Sequence, residues 1–219
     1  IGESEGLQPS RGLRRMWEEA MTRMNKLDVL GVLQEHGAIV SGHFRLPSGL
    51  HSPTYVQTAV VLQYPHLAQK IARAVSEKFP GAVDVVVSPA MGAVVLGQEV
   101  ARVRRCRAIF AERTGSVMSL KRDFRLQPGE RALIVEDVLT TGHTTGEVVS
   151  LARAYGAKVV GVAAILDRST AHLPLSVPVR ALVAFPVKVN PPDSCEMCDR
   201  QVPLSLPGEK FPHLFPEER

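Results

Sequence analysis

Two adjacent carboxylates, Glu136 and Asp137, end an apolar run and lead into a loop rich in threonine and glycine. The whole stretch, from Ala132 to Val149, reads "ALIVEDVLTTGHTTGEVV". Carboxylates accept hydrogen bonds from vicinal hydroxyl groups and can help to hold Mg²⁺, directly or through water. Hydroxyl side chains and free backbone N–H groups at the start of a helix bind anions. The pattern therefore suits a sugar phosphate such as ribose 5-phosphate.

The loop differs from two common phosphate-binding motifs. It is not a Walker A loop, since no lysine follows the glycine, and its glycines, Gly142 and Gly146, do not form GxGxxG. A structural alternative exists, because the residues from Thr144 to Glu147 fit a helix capping box and acidic residues are common at strand ends. We favour a binding site, because the complete run is more specific than either half.

The composition is that of a globular protein. Of the 219 residues, 45% are hydrophobic and 22% are charged, and these values argue against disorder. We find no apolar run long enough to span a bilayer and no secretory signal, so we expect a cytoplasmic protein with no membrane partner. The net charge is +4, but the basic residues are scattered and no aromatic-rich RNA motif accompanies them. We therefore expect no nucleic-acid partner.

Apolar segments that read as strands alternate with helical segments over much of the chain. Examples are "VDVVVS" at Val83–Ser88, "ALIVED" before the loop and "VVGVAAIL" before Asp167. This alternation predicts an α/β fold, an open parallel sheet with helices on both faces. Ligands in such sheets bind at the carboxyl ends of the strands, where Glu136 and Asp137 are expected to lie.

The N-terminal part of the chain differs from this core. Residues 1–23 contain no site motif, and we interpret them as an N-terminal extension with an amphipathic surface helix. Residues 24–219 are expected to form a single domain. Within it, the turn-rich segment Ser41–Gln57 predicts an irregular lobe.

The stretch "ALIVEDVLTTGHT" resembles the phosphoribosyl pyrophosphate (PRPP) motif of the type I phosphoribosyltransferases. The resemblance implies that family's open parallel sheet, with a small hood at roughly residues 24–64 and 186–219 and a core at roughly 65–185. His143 stands where many relatives carry Gly or Lys. The residues implied to bind PRPP are Arg113, Glu136, Asp137, Val138, Leu139, Thr140, Thr141, Gly142, His143 and Thr144.

Four further segments are similar to the orotate phosphoribosyltransferases. They are the hood segment "FRLPSGLHSPTYVQ", the pyrophosphate loop and helix "SPAMGAVVLGQEVAR", the strand end "AILDRS" and the tail "DSCEMCDRQVPLSLPG". This similarity implies that Thr140 and Arg168 contact orotate.

The pyrophosphate loop is implied to comprise Ala90, Met91 and Gly92, with a cis peptide bond between Ala90 and Met91. Some relatives carry lysine where this chain has Pro47, and in the pyrophosphate loop where it has Met91 or Gly92.

The basic stretch "ERTGSVMSLKRDFRLQPGE" resembles the family's mobile catalytic loop. The resemblance implies a homodimer in which this loop reaches the neighbouring site, with Arg113 and Lys121 joining Glu136 and Asp137 as catalytic residues. Three cations, Lys121, Arg122 and Arg125, are open candidates for the key contact. The alternative is a solvated basic hairpin.

The implied reaction transfers the phosphoribosyl group of PRPP to orotate, giving orotidine 5′-monophosphate and pyrophosphate in pyrimidine biosynthesis. Mg²⁺ is the implied cofactor; it arrives with PRPP, and Glu136 and Asp137 are candidate contacts through water. One alternative is a purine or uracil phosphoribosyltransferase, which the hood turn and the pair Asp167-Arg168 disfavour. The other is a non-catalytic, PRPP-sensing regulator.

The cysteines Cys106, Cys195 and Cys198 cannot form a disulfide framework, which fits a reducing compartment. Cys195 and Cys198 form a CxxC pair, but a zinc site needs four ligands. Since no second CxxC or HxxxH motif supplies the other two, we expect ordinary thiols here, with a structural zinc as the less favoured alternative.

Overall fold

A six-stranded sheet forms the centre of the computed structural model, which describes residues 28–46 and 48–206. The strand order is β5-β4-β3-β6-β7-β8; β4 and β5 are antiparallel and the other neighbours are parallel. The strands are β1 (Ile39–Arg45), β2 (His51–Val56), β3 (Val85–Pro89), β4 (Arg107–Thr114), β5 (Val117–Leu120), β6 (Arg131–Leu139), β7 (Lys158–Asp167) and β8 (Val179–Ala184). The helices are α1 (Val29–Glu35), α2 (Ala59–Leu62), α3 (Pro65–Glu77), α4 (Val94–Arg104), α5 (His143–Ala154) and α6 (Glu196–Asp199), with a 3₁₀ turn at Pro192–Ser194.

The central strands are apolar along their length because both faces of the sheet are covered. Successive side chains of β6 point to opposite faces. Leu133 packs in a core that includes residues of α3 and α4, whereas Ile134 packs in a second core that includes residues of α5. This arrangement confirms the predicted open α/β sheet.

The order of the strands creates a crevice beside β6. The chain runs from β3 to β4 on one side and later returns to place β6 on the other side of β3. Since parallel strands end at the same edge, the segments that follow Pro89 and Leu139 lie side by side. Such reversal points are where open α/β sheets bind ligands.

The prediction of an irregular lobe at Ser41–Gln57 was wrong, because this segment contains an antiparallel hairpin of β1 and β2. Glycine and proline are uncommon inside strands, and Gly42 and Pro53 therefore conceal the pattern. Strand β1 also has an irregular register between Ser41 and Phe44. Strand β8, which we did not predict, lies at the edge of the main sheet.

The hairpin contacts the C-terminal segment on both sides. Phe44 of β1 bridges Ser205, and His51 of β2 bridges Asn190. The hood boundaries at 24–64 and 186–219 stay a prediction. The extension at residues 1–23, both outer ends of the hood and Pro47 lie outside the described residues.

No helix in the described part of the chain has the length and apolar character needed to cross a membrane.

The core beneath the crevice leads to a first prediction, which concerns stability. Leu133 lies in β6 and is fully buried, so Leu133→Ala leaves a cavity and should lower the free energy of unfolding by about 2 to 5 kcal/mol. Urea unfolding measures this loss. The control is Val117→Ala in β5, where the side chain is 63% exposed and the expected change is within about 0.5 kcal/mol. Equal losses in both variants would contradict the assigned core.

Candidate active site

Glu136 is a buried carboxylate at the end of β6. Thr145 Oγ1 donates a hydrogen bond to its Oε2 at 3.0 Å, and the backbone N–H of Asp137 points to its Oε1 at 3.3 Å. Burial raises the pKa of Glu136 to about 8, and the neighbouring charge of Asp137 adds to the effect. The carboxyl group is therefore poised to change its protonation state near neutral pH.

Asp137 joins three parts of the structure. Thr58 Oγ1, just before α2, donates a hydrogen bond to Asp137 Oδ2 at 2.5 Å. Gly92 packs against the same carboxylate, and a methyl group at Gly92 would lie 3.1 Å from Oδ2. Burial, and then the charge of Asp137, raises the pKa of Tyr55 in β2 of the hairpin. Asp137 thus lies where β6, the loop after β3 and the hood meet.

The loop after β6 turns the chain into α5. Gly142 adopts φ of 74°, a left-handed conformation that glycine tolerates, and precedes the first residue of the helix. The pocket formed here has a volume of about 190 Å³, a size suited to a small polar group rather than a large ligand. Its lining residues are Pro89, Ala90, Gly92, Glu136, Val138, Thr140, Thr141, Gly142, His143, Thr144 and Thr145.

The loop after β3 forms the opposite wall of this pocket. The peptide bond between Ala90 and Met91 is cis, which confirms the expectation from the resemblance. Ala90 and Gly92 line the pocket, whereas the Met91 side chain is 77% exposed. The Ala90 backbone N–H donates to the Ala111 carbonyl at 2.8 Å, which ties the loop to β4.

Arg168 is a buried cation that follows β7. Its Nη2 donates to Thr54 O at 3.1 Å and to Ser52 Oγ at 3.3 Å, both in β2. Among the described residues, its Nε has no hydrogen-bond partner and the guanidinium forms no salt bridge. The sequence leaves open a salt bridge of Arg168 with the nearby Asp167 or Glu136, and neither forms among the described residues. Burial lowers its pKa from the ordinary value, consistent with a cation that lacks a carboxylate.

The expected basic residues lie in β4 and in the chain that follows β5, and none of them lines the pocket. Arg113 forms an ion pair with Glu147 of α5, and Arg122 pairs with Glu112 at 3.0 Å. Lys121 is exposed, as is Arg125. The roles expected for these cations stay predictions.

Two threonines of the site were not among the expected site residues. Thr58 lies 79 residues before Asp137 in the chain, so no local pattern connects them. Thr145 was expected to be a hydroxyl donor of the anion-binding loop or part of a capping box, but its hydroxyl donates to Glu136.

The sequence matches the model of the phosphoribosyl transferase domain over residues 58–191, a range that contains both pocket walls. Orotate phosphoribosyltransferase of Caldicellulosiruptor saccharolyticus is 42% identical over 188 residues, which are 85% of this chain and 98% of that protein. The chain belongs to the orotate phosphoribosyltransferase family. Another member, from Caldanaerobacter subterraneus subsp. tengcongensis, is 43% identical over 188 residues and covers 85% of this chain and 99% of that one.

Solved structures agree with the family's fold. Orotate phosphoribosyltransferase from Aeropyrum pernix aligns with a TM-score of 0.59 at 20% identity, covering 70% of this chain and 92% of that one. Adenine phosphoribosyltransferase from Rhodothermus marinus aligns with a TM-score of 0.58 at 23% identity, covering 71% and 98%. Since both enzymes share the fold, it does not by itself select the base.

The buried Glu136 predicts a pH-dependent stability. Its pKa is about 8 in the folded protein against 4.5 for the free group. Between these pH values the folded state keeps a proton that the unfolded state has lost. The stability that this proton provides is fully present below pH 4.5 and is lost as the pH rises through 8. Relative to Glu136→Gln, the wild type should lose about 1 kcal/mol of unfolding free energy per pH unit in this window.

Urea unfolding at pH 5 and pH 8.5 measures this difference. The control, Glu35→Gln at the exposed end of α1, should follow the wild type at both pH values. If the difference in unfolding free energy between Glu136→Gln and the wild type is the same at both pH values, the raised pKa is contradicted.

Proposed function

We propose that this protein transfers the phosphoribosyl group of PRPP to orotate, with orotidine 5′-monophosphate and pyrophosphate as products. The observation that favours orotate over other bases is the buried guanidinium of Arg168, which has no carboxylate partner in the described structure. Burying an unpaired charge is costly, so a ligand carboxylate would be stabilised here. Orotate carries such a group, whereas adenine, hypoxanthine and uracil do not.

In this proposal the carboxylates of Glu136 and Asp137 accept hydrogen bonds from the ribose hydroxyls. Their positions are set by Thr145 and Thr58, which already donate to one oxygen of each. Binding would favour the ionised form of Glu136, since a hydroxyl donor stabilises the charged carboxylate.

The 5′-phosphate would bind the loop from Val138 to Thr144, at the start of α5. Backbone N–H groups at a helix start are free of intrahelical partners, and the helix dipole favours an anion there. Thr140, Thr141 and Thr144 add hydroxyl donors, and His143 adds an exposed imidazole. Thr140 would also approach the base.

The residues at the pocket fit an Mg²⁺ ion that arrives with PRPP. Glu136 and Asp137 supply hard oxygen ligands, and no cluster of three or more carboxylates surrounds the pocket within the described residues. Mg²⁺ commonly keeps several waters and is held by one or two carboxylates together with substrate phosphates. The ion would neutralise phosphate charge, with Glu136 and Asp137 as its protein contacts through water.

Departure of pyrophosphate requires stabilisation of the charge that develops on it. Ala90, Met91 and Gly92 would cradle this group, and Arg113 and Lys121 would supply cations. Arg113 lies in β4 and Lys121 directly follows β5, which is the edge strand of the sheet. A hairpin at an edge can extend to a second copy, which supports a homodimer with a shared catalytic loop.

The proposed mechanism needs no protein nucleophile. The protein holds orotate N1 in line with the anomeric carbon of PRPP, and this orientation removes much of the entropic barrier. Arg168 orients the base through its carboxylate, while the pocket fixes the sugar phosphate.

A turnover assay with a panel of bases tests the function. We expect pyrophosphate release with orotate, PRPP and Mg²⁺, and little with adenine, hypoxanthine or uracil. Equal rates with uracil would overturn the base assignment. PRPP binding without turnover of any base would instead support a PRPP-sensing regulator.

The role of Arg168 leads to a sharper prediction. Charge-assisted hydrogen bonds contribute about 1.5 to 3 kcal/mol, so Arg168→Ala should reduce kcat/KM for orotate by roughly ten- to a hundredfold. The affinity for PRPP should change much less. The kcat/KM of Arg168→Lys for orotate should lie between those of the wild type and Arg168→Ala, because lysine keeps the charge but loses the planar fork.

Arg102→Ala is the matched control, since Arg102 is an exposed arginine of α4 that pairs with Glu99. It should leave both constants unchanged. If PRPP affinity in Arg168→Ala falls as steeply as orotate use, Arg168 supports the whole site and does not select the base.

A further inference from the structure

Four potential metal ligands meet in the hood, away from the pocket lining. They are His43 of β1, His51 of β2, and Cys195 and Cys198 of the C-terminal segment, and their ligand atoms all lie within 4.8 Å of one another. His43, His51 and Cys195 are buried, and Cys198 is partly exposed. The sequence-based expectation that this CxxC lacks partners was therefore wrong, because the hairpin supplies two histidines.

The distances within the cluster match a tetrahedral site. His43 Nε2 lies 2.9 Å from His51 Nδ1, 3.5 Å from Cys195 Sγ and 3.7 Å from Cys198 Sγ. Cys198 Sγ lies 3.3 Å from His51 Nδ1. Ligands of tetrahedral zinc at ordinary Zn–N and Zn–S lengths are separated by about 3.3 to 3.8 Å. Four of the six separations therefore lie within about 0.5 Å of this range, and none exceeds 4.8 Å.

The orientation of His43 also suits a metal ligand. Its Nδ1 lies 2.8 Å from the Val202 carbonyl, so this nitrogen carries the proton and donates. Nε2 then has a free lone pair directed at the other three residues. Metal-bound histidines commonly donate their second N–H to a backbone carbonyl in this way, which sets the tautomer and the ring orientation.

The fold explains how residues so distant in sequence come together. His51 is paired with Arg45 in the hairpin, and His43 lies two residues before Arg45, so the pairing brings the two imidazole rings within 4.8 Å of each other, measured between centroids. The C-terminal segment bridges His51 at Asn190 and Phe44 at Ser205. The intervening chain carries both cysteines to the two histidines.

Little apolar burial holds this crossing segment in place. Between Pro191 and Leu204, Cys195 is the one buried residue, and Val202 and Leu204 are 38% and 46% exposed. Hydrophobic packing therefore contributes little here, and a metal would supply the missing cross-link. Structural zinc commonly stabilises small segments of this kind.

We propose that His43, His51, Cys195 and Cys198 bind one structural Zn²⁺ ion, which fastens the C-terminal segment to the hood hairpin. Two thiolates and two imidazoles in a tetrahedral arrangement favour zinc among the divalent metals. All four positions belong to protein ligands, so the ion has no open position for substrate. Ser52, which directly follows His51 and accepts from Arg168, would be held in place by the same ion.

Elemental analysis of the purified, reduced protein tests the site directly. We expect one zinc per chain, which a chelator removes under denaturing conditions and which Zn²⁺ restores on refolding. Co²⁺ in place of Zn²⁺ should give the visible absorption of a tetrahedral ion together with thiolate-to-cobalt charge-transfer bands.

Single variants then assign the ligands. Cys198→Ser and His43→Ala should each lower the zinc content by tenfold or more after dialysis against a weak chelator. The matched controls are Cys106→Ser, a cysteine next to β4, and His66→Ala, a histidine of α3. Both should retain one zinc per chain.

Limited proteolysis gives a readout that does not depend on variant folding. Removing zinc from the wild type should speed cleavage between Pro191 and Leu204 by tenfold or more, and adding Zn²⁺ should reverse the effect. The proposal is overturned if reduced protein refolded with Zn²⁺ binds less than a tenth of an equivalent. A Cys195–Cys198 disulfide in freshly purified protein, or zinc retained in Cys198→Ser and His43→Ala, would overturn it equally. None of these outcomes depends on whether the protein uses orotate.

Discussion

Two adjacent carboxyl groups at the end of β6, the buried Glu136 and the half-buried Asp137, form the constraint on which the site depends. Each has a hydroxyl partner, Thr145 for Glu136 and Thr58 for Asp137. These partners lie in α5 and before α2, so satisfying the two carboxyl groups draws three elements together. The raised pKa of Glu136 shows that hydrogen bonding only partly offsets the cost of burial.

A second buried charge connects the hood to this centre. Arg168 follows β7 and donates to Ser52 and Thr54 of β2, so one guanidinium joins the main sheet to the hairpin. The C-terminal segment closes the hairpin from the outside through Ser205 and Asn190. These polar contacts add to the apolar packing of the hairpin, in which Phe44 and Val56 are buried.

Local patterns predicted the features whose cause is local. The apolar strands of the core and the loop before α5 follow from hydrophobic periodicity and from the positions of glycine. The hairpin was missed because Gly42 and Pro53 interrupt its strand pattern, and its register depends on pairing rather than on intrinsic preference. Strand β8, which lies at the edge of the main sheet, was also not predicted.

The sequence by itself determined the α/β class and the run of carboxylates, hydroxyls and glycine, since strand periodicity and the consecutive residues of one loop need no distant partner. Only the tertiary structure decided which distant side chains complete these groups. Thr58 and Asp137 are separated in sequence by 79 residues, Ser52 and Arg168 by 116, and His51 and Cys198 by 147. Such contacts depend on the packing of whole elements, because a buried polar group must find its partner wherever the fold places one.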